Sequence, residues 1–375
     1  MAVNAEQLLY RSPGGIGRYT AQLLTLLPRL YDDEVVPFTA RHSAEAVSRA
    51  LQSVGVAPGE LDRTVVFPLP RPLLYEAWHA VGQPQLGRLH GADLVHAPSV
   101  AVPPRSARPL VVTVHDAAPE IFPEAFPRFG RRFHRKGLAA AARRADLVLT
   151  GSQAAAGEIL EHSKVRADRI RVVPNGIAPP EQSPELRRAL LDALGLAGRD
   201  FVLWVGSLEP RKGVGTLVEA MARLGRTDTL LVLVGYDGWL GDDQISPDTR
   251  ARLGNQLRQL GPIGEEQLWA LYAEATVFAF PSRHEGFGLP VVEAMSQRTA
   301  VLASDIPALR EIAAGAAQLV APDDVAQWAS VLSWLLDDPA ERERLGAAGV
   351  ARASLYPAAA TIAGIRAVYA ELLGR

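Results

Sequence analysis

The sequence predicts an α/β protein with two doubly wound parallel sheets, each covered by helices. Short apolar runs alternate with amphipathic stretches along the whole chain, as expected for strands buried on both faces and the helices that connect them. This pattern occurs twice, once on each side of a segment rich in proline and polar residues. The chain has 375 residues, of which 48% are hydrophobic, so it is long enough for two cores rather than one.

The apolar runs give the order of the predicted strands. The first half contains DLVHAPS, PLVVTVHD, DLVLTGS and IRVVPNG, and the second half contains FVLWVGS, TLLVLVGY, TVFAFPS, AVLASD and AAQLVAP. The segment APPEQSPELRR (178–188) between them predicts a linker. We predict a first domain over 1–177, a second over 178–355, and a C-terminal helix over 356–375 that crosses back to the first. The domains are expected to face each other across a cleft at the carboxyl ends of both sheets.

The first strand fits this pattern poorly. A buried parallel strand should be a near-continuous apolar run, but MAVNAEQLLY is interrupted by Asn4, Glu6 and Gln7. The sequence therefore predicts a shortened or irregular strand at the start of the chain.

Composition excludes several classes of function. The 39 basic and 41 acidic residues give no overall attraction to nucleic acid or to an anionic membrane. The absence of cysteine excludes disulfides, thiolate catalysis and zinc–thiolate sites. No run approaches the roughly eighteen apolar residues of a membrane span, and the N-terminus lacks a signal pattern. We expect a cytoplasmic protein, with peripheral contact at the inner face of the membrane left open.

The stretch RHEGFGLPVVEAM contains two glutamates, Glu285 and Glu293, at a predicted strand-to-helix junction. Pro290 suits the first position of the helix, and Gly286 and Gly288 let a ligand approach the backbone. Amides at a helix start favour an anion such as phosphate, and the carboxylates accept hydrogen bonds from hydroxyls. Phosphate beside hydroxyls indicates a nucleotide sugar. The two acids alone are equally consistent with a glycine-rich surface turn and an acid that stabilises its own helix.

A second junction, in VGSLEPRKGVG, places Glu209, Arg211, Lys212 and Gly213 after a buried strand. Lysine as a point charge and arginine as a fork are two ways to bind a diphosphate, and Gly213 would allow the backbone to approach it. A solvated basic turn is the alternative. We favour phosphate binding because the junction at Glu285 independently indicates the same ligand.

In the first half, the glycine cluster SPGGIGRYT and the strand end VVTVHD are the candidate site features. Gly15 and Gly17 form only part of a dinucleotide fingerprint, because Thr20 stands where the third glycine would be, so binding of NAD is disfavoured. His115 follows a strand directly, where it can bind a sugar hydroxyl or act in acid–base chemistry. His96 also ends a strand but has fewer polar neighbours in sequence. An ordinary turn and a structural histidine are the alternatives.

The segment Phe126–Ala145 predicts a basic amphipathic helix. It is rich in arginine and lysine, contains no acid, and has Phe126, Phe129 and Phe133 at helical spacing. Such a helix can contact an anionic lipid or an anionic acceptor. Phenylalanines in the core with arginines in water explain the pattern equally well.

Taken in order, the motifs resemble those of the retaining glycosyltransferases of family 4, in the mannosyltransferase-like branch. The motifs are GGIGRYT, VHDAAPEIFPE, VVPNGI, VGSLEPRKG, LVGYDGW, PSRHEGFGLPVVEAM and ASDIPALREI, and they span nearly the whole chain. The resemblance implies the GT-B fold, with two Rossmann-like doubly wound domains facing across a cleft. It also implies transfer of a hexose from a nucleoside-diphosphate sugar to a glycan or lipid-linked acceptor, without a metal or other cofactor. EPRKG and GYDGW favour a GDP-linked, mannose-like sugar.

The resemblance also implies a role for each matching residue. Glu285 contacts the donor sugar, Glu293 binds the ribose, and His115 meets the sugar from the first domain. Arg211 and Lys212 bind the diphosphate. The remaining donor-binding positions are the backbone of Phe287, Gly288 and Leu289, the cleft-lining Gly15 and Gly17, and Ser207, where many relatives have an arginine.

Three other functions use similar features. A nucleotide-sugar epimerase and an inverting transferase share the fold, but the spacing of Glu285 and Glu293 argues against both. A binding subunit without catalysis would keep Lys212 and Glu293 but has no need of His115 or Glu285.

Overall fold

The structure, a computed structural model, describes residues 1–89, 91–238 and 245–374. The chain divides into two compact units. Unit 1 comprises Met1–Gly176 and Ala358–Arg375, and unit 2 comprises Ile177–Pro357. The C-terminal segment thus belongs to unit 1, and it starts at Ala358 rather than at the predicted residue 356.

Unit 1 is built on a parallel sheet of seven strands in the order β3-β2-β1-β4-β5-β6-β7. Helices pack on both faces of this sheet, where they form two separate apolar clusters. The strands are β1 Ala2–Asn4, β2 Val36–Thr39, β3 Val65–Val66, β4 Val95–Ala97, β5 Leu110–Thr113, β6 Leu147–Thr150 and β7 Ile170–Val172.

The first strand is short for the reason that its sequence predicts. β1 ends at Asn4, and a 3-10 turn over Glu6–Leu9 follows it. Asn4 and Glu6 are both buried, with exposures of 4% and 1%. The Asn4 Oδ1 accepts a hydrogen bond from the Glu6 backbone N–H at 3.1 Å, which turns the chain out of the sheet.

The first helix contains the glycines of the cluster SPGGIGRYT. It begins at Gly14, so Gly15 and Gly17 lie in its first two turns and not in a loop. A Cβ on Gly17 would lie 2.3 Å from Pro13 Cβ, so this glycine lets the chain turn tightly into the helix. The helices of unit 1 are α1 Gly14–Tyr31, α2 Ala44–Gln52, α3 Pro58–Leu61, α4 Arg71–Val81, α5 Ala118–Ile121, α6 Arg128–Arg144, α7 Gln153–His162 and, at the C-terminus, α16 Ala358–Leu373.

Helix α16 is part of the core of unit 1. Its residues Ile362, Ile365 and Val368 are buried in the same apolar cluster as α1. Thr361 donates a hydrogen bond from its hydroxyl to the Pro174 carbonyl at 2.8 Å, just beyond β7. The last helix of the chain therefore closes one face of the first sheet.

Unit 2 has a parallel sheet of six strands in the order β10-β9-β8-β11-β12-β13. Both faces are covered by helices, again with an apolar cluster on each side. The strands are β8 Asp200–Val205, β9 Thr229–Val234, β10 Leu257–Gly261, β11 Val277–Phe280, β12 Val301–Ser304 and β13 Gln318–Val320. The helices are α8 Pro184–Ala193, α9 Val214–Leu224, α10 Pro247–Leu253, α11 Glu265–Glu274, α12 Leu289–Ser296, α13 Pro307–Ala313, α14 Val325–Asp337 and α15 Pro339–Ala353.

Two parallel, helix-covered sheets confirm the predicted fold class, an α/β protein with two doubly wound, Rossmann-like units. Among the described helices, none combines the length and the apolar character needed to span a membrane.

Candidate functional site

The candidate site of unit 2 lies where two neighbouring strands end. β8 pairs with β11 in parallel, so the loops that follow them leave the same edge of the sheet. The loop after β8 carries Arg211 and Lys212, and the loop after β11 carries Glu285. The backbone joins the loops directly, because Arg283 N–H donates to the Arg211 carbonyl at 2.8 Å. The carboxyl edge of such a sheet is where α/β proteins bind ligands.

Two cations and two carboxylates are paired at this edge. Lys212 Nζ lies 2.6 Å from Glu285 Oε1, and Arg211 Nη1 lies 3.6 Å from Glu285 Oε2. Arg211 Nη2 also donates to Glu209 Oε1 at 2.7 Å. The formal charges of these four groups cancel. An anionic ligand that binds here must therefore compete with Glu285 for the cations.

The pKa of Glu285 shows whether burial or the neighbouring positive charges have the larger effect on this carboxyl. Burial raises the pKa of this carboxyl, but the charges of Lys212 and Arg211 lower it further, and the net pKa lies below its ordinary value. Glu285 is therefore an ionised acceptor at neutral pH, able to receive hydrogen bonds from sugar hydroxyls.

Arg211 and Lys212 differ in how many of their N–H donors already bond to other groups of the protein. The Arg211 guanidinium joins the two loops, because it contacts Glu209 and also donates from Nη1 to the His284 carbonyl at 2.9 Å. Lys212 has three N–H donors, of which the bond to Glu285 takes one. Lys212 is thus better suited than Arg211 to bind a phosphate directly, while Arg211 holds the loops in place.

Gly213 lets two loops of the protein pack closely, a role that the sequence does not indicate. Its φ of +63° is in the left-handed region, and a Cβ at this position would lie 2.0 Å from the Pro281 carbonyl oxygen. The glycine therefore lets the loop after β8 touch the loop after β11, which brings Lys212 to Glu285.

The start of α12 is built by Gly288, with a φ of 109°, as the residue before the helix. The helix begins at Leu289, so Pro290 occupies its second position rather than the predicted first. Phe287 packs its ring against Tyr356 at 5.7 Å between centroids and belongs to the core. Any contact of residues 287–289 with a ligand must therefore come mainly from the backbone.

Glu293 lies on α12 and is nearly inaccessible, with an exposure of 1%. Its Oε2 accepts a hydrogen bond from the Tyr272 hydroxyl at 2.8 Å. The sequence does not identify Tyr272 as a site residue, because it lies 21 positions upstream, within the apolar pattern of α11. No sequence signal distinguishes it from its buried neighbours.

The loop after β8 also packs on the loop after β9. Ser207, which is partly buried, lies in the first of these loops. A Cβ on Gly235 would lie 1.8 Å from the Gly206 carbonyl oxygen, and one on Gly238 would lie 2.0 Å from that of Leu208. The glycines of GYDGW therefore allow close backbone packing of the two loops. Trp239 of that motif lies outside the described residues.

In unit 1, His115 follows β5 at the carboxyl edge of the sheet. Its Nε2 lies 2.9 Å from the Pro98 carbonyl oxygen, which only accepts, so Nε2 carries a hydrogen. Burial lowers the pKa of His115, although the Pro98 carbonyl and Asp116 act to raise it. The ring is therefore neutral near pH 7, and its Nδ1 is an acceptor. Tyr19 of α1, the helix that carries Gly15 and Gly17, touches the His115 ring at 5.3 Å.

His96 has a structural role. It is fully buried, its Nε2 lies 2.8 Å from the Thr113 hydroxyl, and its Nδ1 lies 2.6 Å from the Tyr369 hydroxyl. Burial lowers the pKa of His96 to about 3. Both nitrogens are thus engaged inside the unit, and this histidine ties α16 to the sheet.

The phenylalanines of α6 and the residues just before it do not share one environment. Phe133 stacks on Tyr75 with 5.6 Å between ring centroids, whereas Phe129 is 65% exposed. Glu76 of α4 pairs with Lys136 at 2.5 Å and with Arg132 at 3.3 Å. Part of the helix therefore packs on unit 1, and its first turn presents an aromatic ring to solvent.

Within the described ranges, no three His, Asp or Glu side chains converge on a point that could hold a metal ion. The acids and histidines named above are paired with cations, hydroxyls or the backbone.

Two family models match the chain, one on each side of residue 180. The model described as Glycosyltransferase Family 4 matches residues 13–179, and the model described as Glycosyl transferases group 1 matches residues 189–352. The O-antigen chain mannosyltransferase B of Escherichia coli is 30% identical over 353 residues, which are 91% of this chain and 92% of that protein. The O-antigen chain mannosyltransferase RfbU of Salmonella typhimurium is 25% identical over 336 residues, 88% of this chain and 90% of that protein.

Among solved structures, HepE of Anabaena in complex with UDP and glucose matches with a TM-score of 0.76. The match covers 99% of each chain at 20% identity, so it bears on the fold alone.

Proposed function

Because this chain belongs to glycosyltransferase family 4 and has the GT-B fold, we propose that it is a retaining hexosyltransferase that uses a GDP-linked, mannose-like donor. Its acceptor is a glycan or a lipid-linked glycan. The observation that carries the donor site is the contact of Lys212 with Glu285 at the carboxyl edge of unit 2, 2.6 Å between Nζ and Oε1. A cation for phosphate and an ionised acceptor for hydroxyls lie side by side, as a nucleotide sugar requires.

The same groups suit the transition state of the transfer. When the bond between the sugar and the diphosphate breaks, negative charge grows on the β-phosphate and the sugar becomes oxocarbenium-like. Lys212 and the amides at the start of α12 stabilise that negative charge, and in many enzymes such electrostatic stabilisation contributes most of the rate acceleration. Glu285, held as a carboxylate, binds sugar hydroxyls. The charge of the leaving group is neutralised by Lys212 and the helix start, and no metal ion is part of the proposal.

Retention requires that the acceptor attack from the face that the diphosphate leaves. The leaving phosphate then lies beside the incoming hydroxyl and accepts its proton. This geometry needs no carboxylate nucleophile, which fits a Glu285 already engaged by Lys212.

The sugar is proposed mainly from the relatives. Mannosyltransferases of the O-antigen chain match nearly the whole chain, at 30% and 25% identity. His115 accepts from a sugar hydroxyl through Nδ1, because the Pro98 carbonyl fixes the hydrogen on Nε2. Glu293 and the adjoining backbone of α12 bind the ribose and the phosphates.

A panel of nucleotide sugars, assayed for donor hydrolysis without acceptor, tests the donor. We expect GDP-mannose to be hydrolysed faster than UDP-glucose, UDP-GlcNAc or GDP-glucose. Preferential hydrolysis of a UDP-sugar would contradict the proposed base, and no hydrolysis of any donor would contradict the function.

Lys212→Ala tests the diphosphate site. We expect GDP affinity to fall by about 2 to 5 kcal/mol, the usual cost when one member of a desolvated charge pair is removed. Arg223→Ala is the control, because it removes a half-exposed cation from α9 of the same unit. Calorimetry that shows equal GDP affinity in the Lys212 variant and the wild type would remove Lys212 from the site.

We also propose that the first turn of α6 contacts anionic lipid at the inner face of the membrane. The exposed Phe129 ring and the acid-free basic helix around it support this contact. Binding to vesicles that contain phosphatidylglycerol should occur at low salt, weaken as salt is added, and fall in Phe129→Ser. Leu355→Ser, at an equally exposed position of unit 2, is the control. Absence of co-sedimentation at low salt would end this proposal.

A further inference from the structure

The polar residues that interrupt β1 have no role in the function proposed so far, although they form a buried cluster. Glu6 has an exposure of 1%, and its Oε2 accepts the Ala40 N–H at 2.9 Å. Its Oε1 lies 2.8 Å from His42 Nε2. Asn4, also buried, accepts the Glu6 N–H.

This cluster lies at the edge of unit 1 where a ligand is expected. Asn4 is the last residue of β1, and His42 comes three residues after the end of β2. β1 and β2 are neighbours in a parallel sheet, so both residues leave the carboxyl edge, as His115 does after β5. The polar interruption of β1 therefore falls at the functional edge of the sheet.

The hydrogen bond between Glu6 and His42 determines which ring nitrogen of His42 carries the hydrogen. A carboxylate only accepts hydrogen bonds, so His42 Nε2 must carry a hydrogen and donate it to Glu6. In the neutral ring, Nδ1 is then an acceptor. The His42 side chain is 26% exposed, whereas Glu6 is covered, so His42 is the member of the pair that a ligand can reach.

A buried carboxylate is costly unless its hydrogen bonds and charge are compensated. Glu6 satisfies both oxygens by fixing the backbone after β2 and one ring nitrogen of His42. A carboxylate placed so deeply, and used to orient a more accessible histidine, matches the arrangement in which a carboxylate sets the tautomer of a functional imidazole.

We propose that His42, oriented by Glu6, contacts a hydroxyl of the acceptor glycan. Glu6 is a positioning residue that fixes the hydrogen on Nε2 and leaves Nδ1 to accept the acceptor hydroxyl. The inference rests on the proposed glycosyltransferase function, and it adds the residues of unit 1 that recognise the second substrate.

Glu6→Gln is the informative variant because it reverses the polarity of His42 with little change of shape. The carbonyl oxygen of the substituted side chain must accept the buried Ala40 N–H, so its amide nitrogen faces His42 Nε2 and donates to it. The ring hydrogen then moves to Nδ1, which becomes a donor. His42→Ala removes the contact altogether. Glu45→Gln is the matched control, because Glu45 is exposed and pairs with Arg49 within α2.

The kinetic test compares donor hydrolysis with transfer to a mannose-terminated oligosaccharide. We expect Glu6→Gln and His42→Ala to keep donor hydrolysis and GDP affinity, while the KM for the oligosaccharide rises about tenfold, equivalent to ~1.4 kcal/mol. Glu45→Gln should match the wild type. If the wild type hydrolysed no donor, the proposed glycosyltransferase function would be contradicted. Normal hydrolysis with unchanged acceptor KM in both variants would overturn the role of His42.

The spectroscopic test reads the tautomer directly. Nitrogen-15 NMR of histidine side chains at alkaline pH, with His42→Ala used for assignment, should show the hydrogen on Nε2 in the wild type and on Nδ1 in Glu6→Gln. The oligosaccharide should shift the wild-type Nδ1 signal. The same tautomer in both proteins, or no response to the oligosaccharide, would overturn the inference. If the Glu6→Gln variant fails to fold, the His42→Ala variant still tests the contact, because the His42 side chain is only partly buried.

Discussion

Glu285 and Glu293 lie eight residues apart, but they have different partners and so different expected roles. Glu285 contacts Lys212, the cation proposed for the leaving group, and Arg211, whereas Glu293 of α12 accepts a hydrogen bond from the Tyr272 hydroxyl of α11. If Glu293 binds the ribose, its contacts exist equally before and during transfer. If Glu285 binds the sugar, it has nothing to bind once the sugar has left.

The two glutamine variants should therefore differ in whether they impair GDP binding or turnover. Glu293→Gln is expected to weaken binding of both donor and GDP, with turnover at saturation little changed. Glu285→Gln is expected to keep or raise GDP affinity, because it removes a competitor for Lys212, and to lower turnover by about 10² or more, the scale of one lost transition-state contact. Calorimetry with GDP and saturation kinetics measure the two effects.

Circular dichroism of both variants is the control for folding. Equal loss of GDP affinity in the two variants, with unchanged turnover, would show that the assigned division of roles is wrong.

At the level of single residues, the sequence predicts positions better than partners. Lys212 and Glu285 each follow an apolar run, so their places at strand ends can be read directly. Their contact cannot, because 73 residues separate them and it depends on β8 and β11 being neighbours in the sheet. Likewise, Glu6 appears in sequence only as an interruption of a strand, and its partner His42 has no motif around it.

One glycine lets the loop after β8, which carries Lys212, pack against the loop after β11. Substitutions at the two ends of α9 test this contact. Gly213 precedes α9 and Gly225 follows it, with φ of 63° and 62°. A Cβ on Gly213 would meet the Pro281 carbonyl oxygen at 2.0 Å, while one on Gly225 would meet nothing within 4 Å. The two positions share the backbone strain, but Gly213 is buried and a Cβ there would clash, whereas Gly225 is exposed and open.

Gly225→Ala should therefore cost about 1 kcal/mol of stability in unit 2, as expected for an alanine held in the left-handed region. Gly213→Ala should cost more, and it should also weaken GDP binding, because the loop that leads to the amides at the start of α12 must move away from Lys212. Urea unfolding and calorimetry measure the two quantities. Equal effects of the two substitutions on GDP affinity would show that the contact of the two loops does not shape the site.

The strands that the sequence does not predict are missed for two physical reasons. β3 and β10 are edge strands whose side chains are only partly buried, so neither forms a long apolar run. β2 contains Pro37, which argues against a strand, although three of its four residues are buried. Central strands without a proline or other interruption are predictable because burial on both faces leaves an unbroken apolar signature.

At the scale of the whole of unit 1, a buried histidine joins two strands to the last helix and contributes to the response of the unit to acid. His96 joins β4, β5 and α16 through Thr113 and Tyr369, and burial lowers its pKa from 6.5 to about 3. The native state therefore keeps His96 neutral, while the unfolded state takes up a proton below about pH 6.5. Because the folded pKa lies below the unfolded one, stability is complete above pH 6.5 and declines as pH falls toward 3.

By about pH 4 this one group should remove on the order of 3 kcal/mol from the free energy of unfolding of unit 1. His96→Asn, which cannot titrate, should be less stable at pH 7 but should lose less on acidification. Burial also lowers the pKa of His79, to about 4, and that residue remains in both proteins, so the comparison isolates His96. Hydrogen exchange of peptides from α16 in urea, at pH 7 and pH 4, measures the unfolding of this unit separately from unit 2. If wild type and variant lost the same stability between the two pH values, His96 would not control the acid sensitivity of the helix that closes unit 1.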